Sequence, residues 1–211
     1  MSEINITLDD AKNLIGYIRE NIAYFLKTGK RLPIPEQLKQ RFRNKCGAFV
    51  TLNKTNVSGN PLRGCIGYIE PKYELCEVIH RVSVSAACED PRFPSVRLEE
   101  LDNIIIEISI LTPPKLIEVN EPQEYFHQIK IGRDGLIVER GMRRGLLLPQ
   151  VPIEHERNWD AKTFLEQTCR KAWLSQDAWK EEDIKVYKFS AILFEETSPG
   201  GQVERKYLTE Q

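Results

Sequence analysis

The sequence predicts an α+β fold with a mainly antiparallel, curved or barrel-like sheet and flanking helices. Strand-like and helical segments are interspersed along the chain without the strict alternation that builds a parallel sheet. The segment 104–111 alternates Glu107 and Ser109 against Ile106, Ile108 and Ile110, the pattern of a strand with one face on a core and one toward water. Two halves of the chain share the order hairpin, helix, strand, offset by roughly 80 to 90 residues, the sign of an internal duplication.

The elements follow in order. Leu8, Ala11, Ile15, Ile18, Ile22 and Phe25 recur at spacings of three and four and share one helix face, with Thr7 and Asp10 as a cap and Gly29 as the stop. Pro33 and Pro35 break the chain before a short helix over 36–42. The β-branched and aromatic runs at 47–52 and 62–69 flank Val57-Ser58-Gly59-Asn60-Pro61, a hairpin with a long loop. Leu75, Val78, Ile79, Val82 and Ala86 keep helical spacing until Asp90-Pro91 ends the helix. After the 104–111 strand, Thr112-Pro113-Pro114 stops it. A strand over 115–119 and a helical piece over 122–128 follow. Glycine-rich turns at 132–135 and 141–145 frame a second hairpin, Leu136–Glu139 with Leu146–Leu148. Asp160 caps a helix that buries Phe164, Leu165, Cys169 and Ala172, and a final strand covers 185–194.

With 30 Lys+Arg against 31 Asp+Glu, the net charge of −1 lacks the basic footprint of a nucleic-acid binder. The short basic runs Lys39 to Lys45 and Arg140 to Arg144 read as solvated faces, and nucleic acid is the weakest partner class. The five cysteines, Cys46, Cys65, Cys76, Cys88 and Cys169, form none of the close pairs of zinc sites or redox dithiols and read as free thiols. The start of the chain shows no secretory leader and no segment reaches the length of a membrane span, so a cytoplasmic location is expected. No P-loop, dinucleotide fingerprint, zincin helix or nucleophile elbow is present, and neither a cofactor nor a metal is expected.

Candidate chemistry concentrates at Leu62-Arg63-Gly64-Cys65-Ile66-Gly67. Strand alternation projects Arg63 and Cys65 from one face, where a guanidinium favours the thiolate. Gly64 and Gly67 let a ligand, or another backbone, approach closely. Cys65 is the candidate nucleophile and Arg63 an anion-binding group. Against this stands the tendency of free cysteine to be buried and of strand glycines to mark bulges or tight packing. His80 ranks first as a base because its helix follows the Cys65 strand, ahead of His127 and His155. In Glu89-Asp90-Pro91-Arg92-Phe93-Pro94, Asp90 and Arg92 are substrate-holding candidates. The plainer alternative is a helix stop with Phe93 in the core and Asp90 paired to Arg92 or a backbone N–H. Gly145 to Gln150, followed by Glu154, Trp159 and Asp160, reads as core strand and exit turn.

These residues bring a family into view. The chain resembles the AMMECR domain proteins over roughly 8–195, through the unchanged hexapeptide at 62–67, Phe49-Val50-Thr51-Leu52, Asp90 to Pro94, Gly145 to Gln150, Trp159-Asp160, and Cys169 ahead of Lys171-Ala172. Tyr68 departs from the Thr common after the hexapeptide. The resemblance implies a single domain of two unequal lobes, with both chain ends in the larger lobe and the smaller one inserted. The hexapeptide would lie near a cleft that takes a small or anionic ligand. Microbial relatives are often encoded beside Memo-like and radical S-adenosylmethionine proteins, which makes those the expected protein partners. Two functions are consistent with this: an enzyme or enzyme-system component built on Arg63 and Cys65, or a non-catalytic adaptor.

Overall fold

A computed structural model describes residues 5–153 and 157–206. The chain divides into two compact units, one holding the residues up to Leu111 together with Ile192–Lys206, the other Thr112–Ala191.

The first unit opens with α1 (Leu8–Thr28). Its capping box is reciprocal: Asp10 N–H donates to Thr7 Oγ1 at 3.1 Å, and Thr7 N–H to Asp10 Oδ2 at 2.9 Å. The shorter Asp in place of Glu is held there by Arg41 of α2 (Glu36–Arg41), whose Nε donates to Asp10 at 2.8 Å. Gly29 ends α1 at φ 71°, a left-handed conformation glycine enters without strain. Then come β1 (Ala48–Lys54), β2 (Leu62–Tyr68), α3 (Leu75–Cys88) and β3 (Ile104–Leu111). β1 pairs antiparallel with both β2 and β3, giving the order β2-β1-β3, continued by the far end of β7 (Lys185–Glu196) and by β8 (Val203–Lys206). One sheet face is apolar. Val50 and Leu52 of β1 and Ile104, Ile106, Ile108 and Ile110 of β3 are completely buried in a core shared with Leu14, Ile18 and Ile22 of α1 and Val78 and Ile79 of α3. Each such side chain contributes about 1.5–3 kcal/mol of burial.

The second unit contains β4 (Lys115–Leu116), α4 (Tyr125–Gln128), β5 (Asp134–Arg140), β6 (Arg143–Leu147), α5 (Ala161–Lys171) and the first part of β7. β5 pairs antiparallel with β6 and with β7. Asp160 caps α5 by accepting from Thr163 N–H, and Phe164, Leu165, Cys169 and Ala172 are buried as the helical spacing requires.

The repeat is visible in the registers. In the first unit Leu52 faces Gly64 on β2 and Ile106 on β3; in the second, Val138 faces Gly145 on β6 and Val186 on β7. A Cβ at Gly64 would lie 2.0 Å from the carbonyl oxygen of Ala86 at the end of α3, and one at Gly145 would lie 2.2 Å from the nitrogen of Ala172 just past α5. Both units thus repeat hairpin, helix and strand with a glycine where the helix end meets the outer strand. The shortest departures from expectation are β4, two residues long, and β8, a four-residue strand whose Val203 alone is buried and which carries little periodic signal.

Candidate functional site

Cys65 sits on β2 directly opposite Thr51 of β1, which in turn faces Glu107 of β3. The Thr51 hydroxyl donates to Cys65 Sγ at 3.2 Å. Because Leu52 and Gly64 point to the helices, this row lies on the other face of the sheet.

The backbone of Cys65 faces outward from β2, and a side-chain pair takes the place of a further strand. Cys65 N–H donates to Asp90 Oδ2 at 2.8 Å, and Arg92 Nη2 donates to the Cys65 carbonyl at 3.3 Å. Asp90 and Arg92 lock to each other through Nε at 2.9 Å and Nη2 at 2.7 Å, and Asp90 also accepts from the Arg92 backbone at 3.1 Å. The Arg92 guanidinium holds the Asp90 carboxyl well below the usual carboxylate range. Asp90 is 4% exposed, and its bonds to Cys65 and Arg92 make it a clamp on the strand edge. The Arg92 side chain remains 53% exposed. Its Nη1 edge carries no hydrogen bond among the described residues.

Arg63 does not serve the thiol. The register of β1 with β2 shifts between Leu52 and Asn53, leaving Arg63 as the extra residue of a bulge and interrupting the alternation that would pair it with Cys65. Its guanidinium is buried against Glu100 through Nε at 3.0 Å and Nη2 at 3.1 Å, and Nη1 donates to the Pro94 carbonyl at 2.8 Å. Glu100 also meets Lys54 at 3.0 Å and is held near pKa 2, chiefly by Arg63. An open cavity of about 680 Å³ lies over this network, lined among others by Lys54, Arg63, Phe93, Arg97 and Glu100; Cys65 does not line it.

The charges acting on the Cys65 thiol are Arg92, Glu107 and Asp90. Burial pushes the thiol above its ordinary value and outweighs the lowering by Thr51 and Arg92, so the resting form is SH rather than the expected thiolate.

His80 is engaged by α1. Its Nδ1 lies 2.7 Å from the Tyr17 hydroxyl of α1, which also lies 2.9 Å from the Leu32 carbonyl. Burial, then Arg31 and Arg81, push its pKa down. His127 stands on α4 in the second unit, and His155 and Glu154 lie outside the described residues.

The two motif glycines answer to packing. Gly64 accommodates Ala86 of α3, while a Cβ on Gly67 would meet the Phe49 ring at 2.3 Å. Tyr68, the departure from the family pattern, is exposed with its ring 5.8 Å from that of Tyr73. Sequence reasoning missed Thr51, Glu107 and Glu100 as neighbours; the first two are cross-strand partners whose register could be read only once the loop and bulge were known. Among the described residues no group of three or more His, Cys, Asp or Glu is placed to hold a metal, and no helix is long and apolar enough to cross a membrane.

Comparison with known proteins agrees with the sequence resemblance. Protein PH0010 of Pyrococcus horikoshii is 50% identical over 92% of this chain and 94% of its own, and protein MJ0810 of Methanocaldococcus jannaschii is 48% identical over 96% and 98%. The crystal structure of the uncharacterized protein PH0010 superposes with a TM-score of 0.83 at 48% identity, covering 96% of this chain and 99% of that one. The AMMECR1 family model matches residues 15–194, and with that match and relatives of this similarity the chain belongs to the AMMECR1 family.

Proposed function

We propose that this AMMECR1 protein is an enzyme, or a component of an enzyme system, that handles a small anionic ligand on the sheet face of the first unit, with Cys65 as the reacting or contacting thiol. The observation that carries this reading is the cross-strand row Cys65, Thr51, Glu107. The repeat supplies an internal comparison: at the same register positions the second unit has Leu146, Ile137 and Tyr187. The same framework therefore closes with mainly apolar side chains, and its packing does not require a thiol, a hydroxyl and a carboxylate.

The chemistry follows from the row and its clamp. Asp90 and Arg92 fix both backbone polar groups of Cys65, so the thiol is held in one place before any ligand arrives. The exposed edge of Arg92 offers two N–H donors to a carboxylate or phosphate. Because the thiol rests protonated, nucleophilic use requires loss of its proton as the ligand binds. Glu107 is the carboxylate of the same row, two strands from Cys65 across Thr51 and paired with Lys206 at 3.1 Å, and we propose it as the group that takes the proton.

The test is residue-resolved alkylation of the native chain across pH, read by mass spectrometry. Cys65 is expected to react ahead of the half-buried Cys88 and the buried Cys46, Cys76 and Cys169, at a rate that climbs above neutral pH, and to be slowed by a bound carboxylate or phosphate compound. A Cys65 that stays protected until the protein unfolds would overturn the reading and leave the hexapeptide with architecture alone.

A further inference from the structure

The second unit carries a feature that stability does not explain. Past the end of α5 the chain turns through Trp173, which adopts φ 60°. Leu174 N–H reaches back to the Cys169 carbonyl at 3.1 Å and Trp173 N–H to that of Arg170 at 3.0 Å, the bonding of a helix C-terminal turn whose left-handed position is normally glycine. A bulky side chain at that φ is strained by its own Cβ. The indole is nevertheless 87% exposed, so it recovers almost no burial in return.

The turn is also held rigidly. Arg143 of β6 donates from Nη1 to the Trp173 carbonyl at 3.0 Å, and the backbone of Lys171 and Ala172 rests on Gly145. Met142, at the tip of the β5–β6 turn beside Arg143, is fully exposed. Around these two apolar groups stand cations. Arg170 bonds a neutral partner, Gln176, and Lys171 has no ion pair among the described residues. Arg143 is exposed as well.

We infer that Trp173, Met142, Arg143, Arg170 and Lys171 form a docking surface for an acidic segment of a partner protein, with the indole as its anchor. Trp, Met and Arg are the residue types enriched at such interfaces, and Trp and Arg carry most of their binding strength. An indole pre-set by a braced turn loses little freedom on binding. The local excess of positive charge selects an acidic partner. The near-neutral whole chain argues against nucleic acid, which would draw on a wider basic field. This inference does not depend on the proposal for Cys65.

The experiment selects peptides from a random displayed library on the native full-length chain, then measures binding of the selected sequences to the native chain and to Trp173→Gly and Arg143→Glu. The expected peptides combine Asp and Glu with an apolar residue. They shift the emission of Trp173 to the blue, and they bind each variant at least about tenfold more weakly. Thermal unfolding gives the second readout: Trp173→Gly should melt at the same temperature as the native chain or higher, since glycine relieves the strained turn. Peptides that ignore Trp173, or a Trp173→Gly variant that melts several degrees lower, would overturn the inference. Trp173-dependent binding of anionic vesicles or single-stranded RNA, with none of peptides, would overturn it in favour of those partners.

Discussion

Substituting Gly64 by alanine separates the two meanings a motif glycine can have. The added Cβ would stand 2.0 Å from the Ala86 carbonyl oxygen and 3.1 Å from its carbon, against ordinary contact from 3.4 Å. Both sides of the clash are backbone, one in β2 and one near the end of α3, so no side-chain rotamer can relieve it. The helix end and the strand must part by roughly 1.4 Å, loosening the contacts of Val82 and Ala86 with the sheet. Overpacking a rigid core costs about 1–3 kcal/mol, and two backbones in conflict place this change at the upper end. With a urea dependence of about 3 kcal/mol per molar for a chain of this size, the midpoint should fall by about 1 M. Far-ultraviolet circular dichroism is the suitable signal, because Trp159, Trp173 and Trp179 all lie in the second unit and would report on that unit alone. Gly16→Ala is the control: no atom lies within 4 Å of its Cβ position on α1, and the change should stabilise by about 0.5–1 kcal/mol. If Gly64→Ala unfolded within about 0.5 kcal/mol of the native chain, the close approach of α3 would not be what demands glycine, and Gly64 would return to the list of ligand-contact positions.

The remaining predictions concern charge and the displaced site candidates. Glu100 is held near pKa 2 in the folded chain, below its unfolded value of about 4.3, so its contribution is complete above that value and lost as pH falls toward 2. Glu100→Gln should therefore be less stable at neutral pH by on the order of 2 kcal/mol and show a shallower acid loss; an acid limb as steep as that of the native chain would contradict the pairing with Arg63. His80→Ala should cost about 1 kcal/mol through its bond to Tyr17, yet leave the alkylation rate of Cys65 within twofold. A tenfold fall in that rate in a folded His80→Ala protein would restore His80 as a base.

Much of the fold was legible because its signals are local. The 3.6-residue stripe of α1, the alternation of β3 and the caps at Thr7 and Asp160 are each written within a few residues; the caps form as expected, while Leu8 of the stripe is exposed and Ser109 of β3 is buried where alternation turns it toward water. The repeat was legible as an order of elements, although the glycines that place its helices show their equivalence only in the sheet registers. Cys65 and Arg92 were found as unusual residues, but their relation was not. Whether Arg63 or Arg92 stands beside the thiol depends on a one-residue bulge, and alternation carried across a bulge assigns every later side chain to the wrong neighbour. The SH state of Cys65 was illegible for a similar reason, since proximity to arginine is readable in sequence while desolvation is a property of the packed sheet.

The hexapeptide and the Asp90–Pro94 loop are best understood as one device. β2 has β1 on one side only, and an outer strand with free N–H and C=O groups is both mobile and open to further pairing. Asp90 and Arg92 present an acceptor and a donor at the spacing a neighbouring strand would, and they do so at Cys65, between the two glycines. The same loop supplies the Pro94 carbonyl that binds Arg63. Within the motif, Arg63 anchors the loop, Gly64 admits the helix, Ile66 packs against the core and Gly67 admits the Phe49 ring. The thiol is the one side chain of the central four residues that packing leaves unexplained. A strand held this firmly from the side fixes the backbone of the residue that carries the thiol, which is the rigidity the proposed role of Cys65 requires.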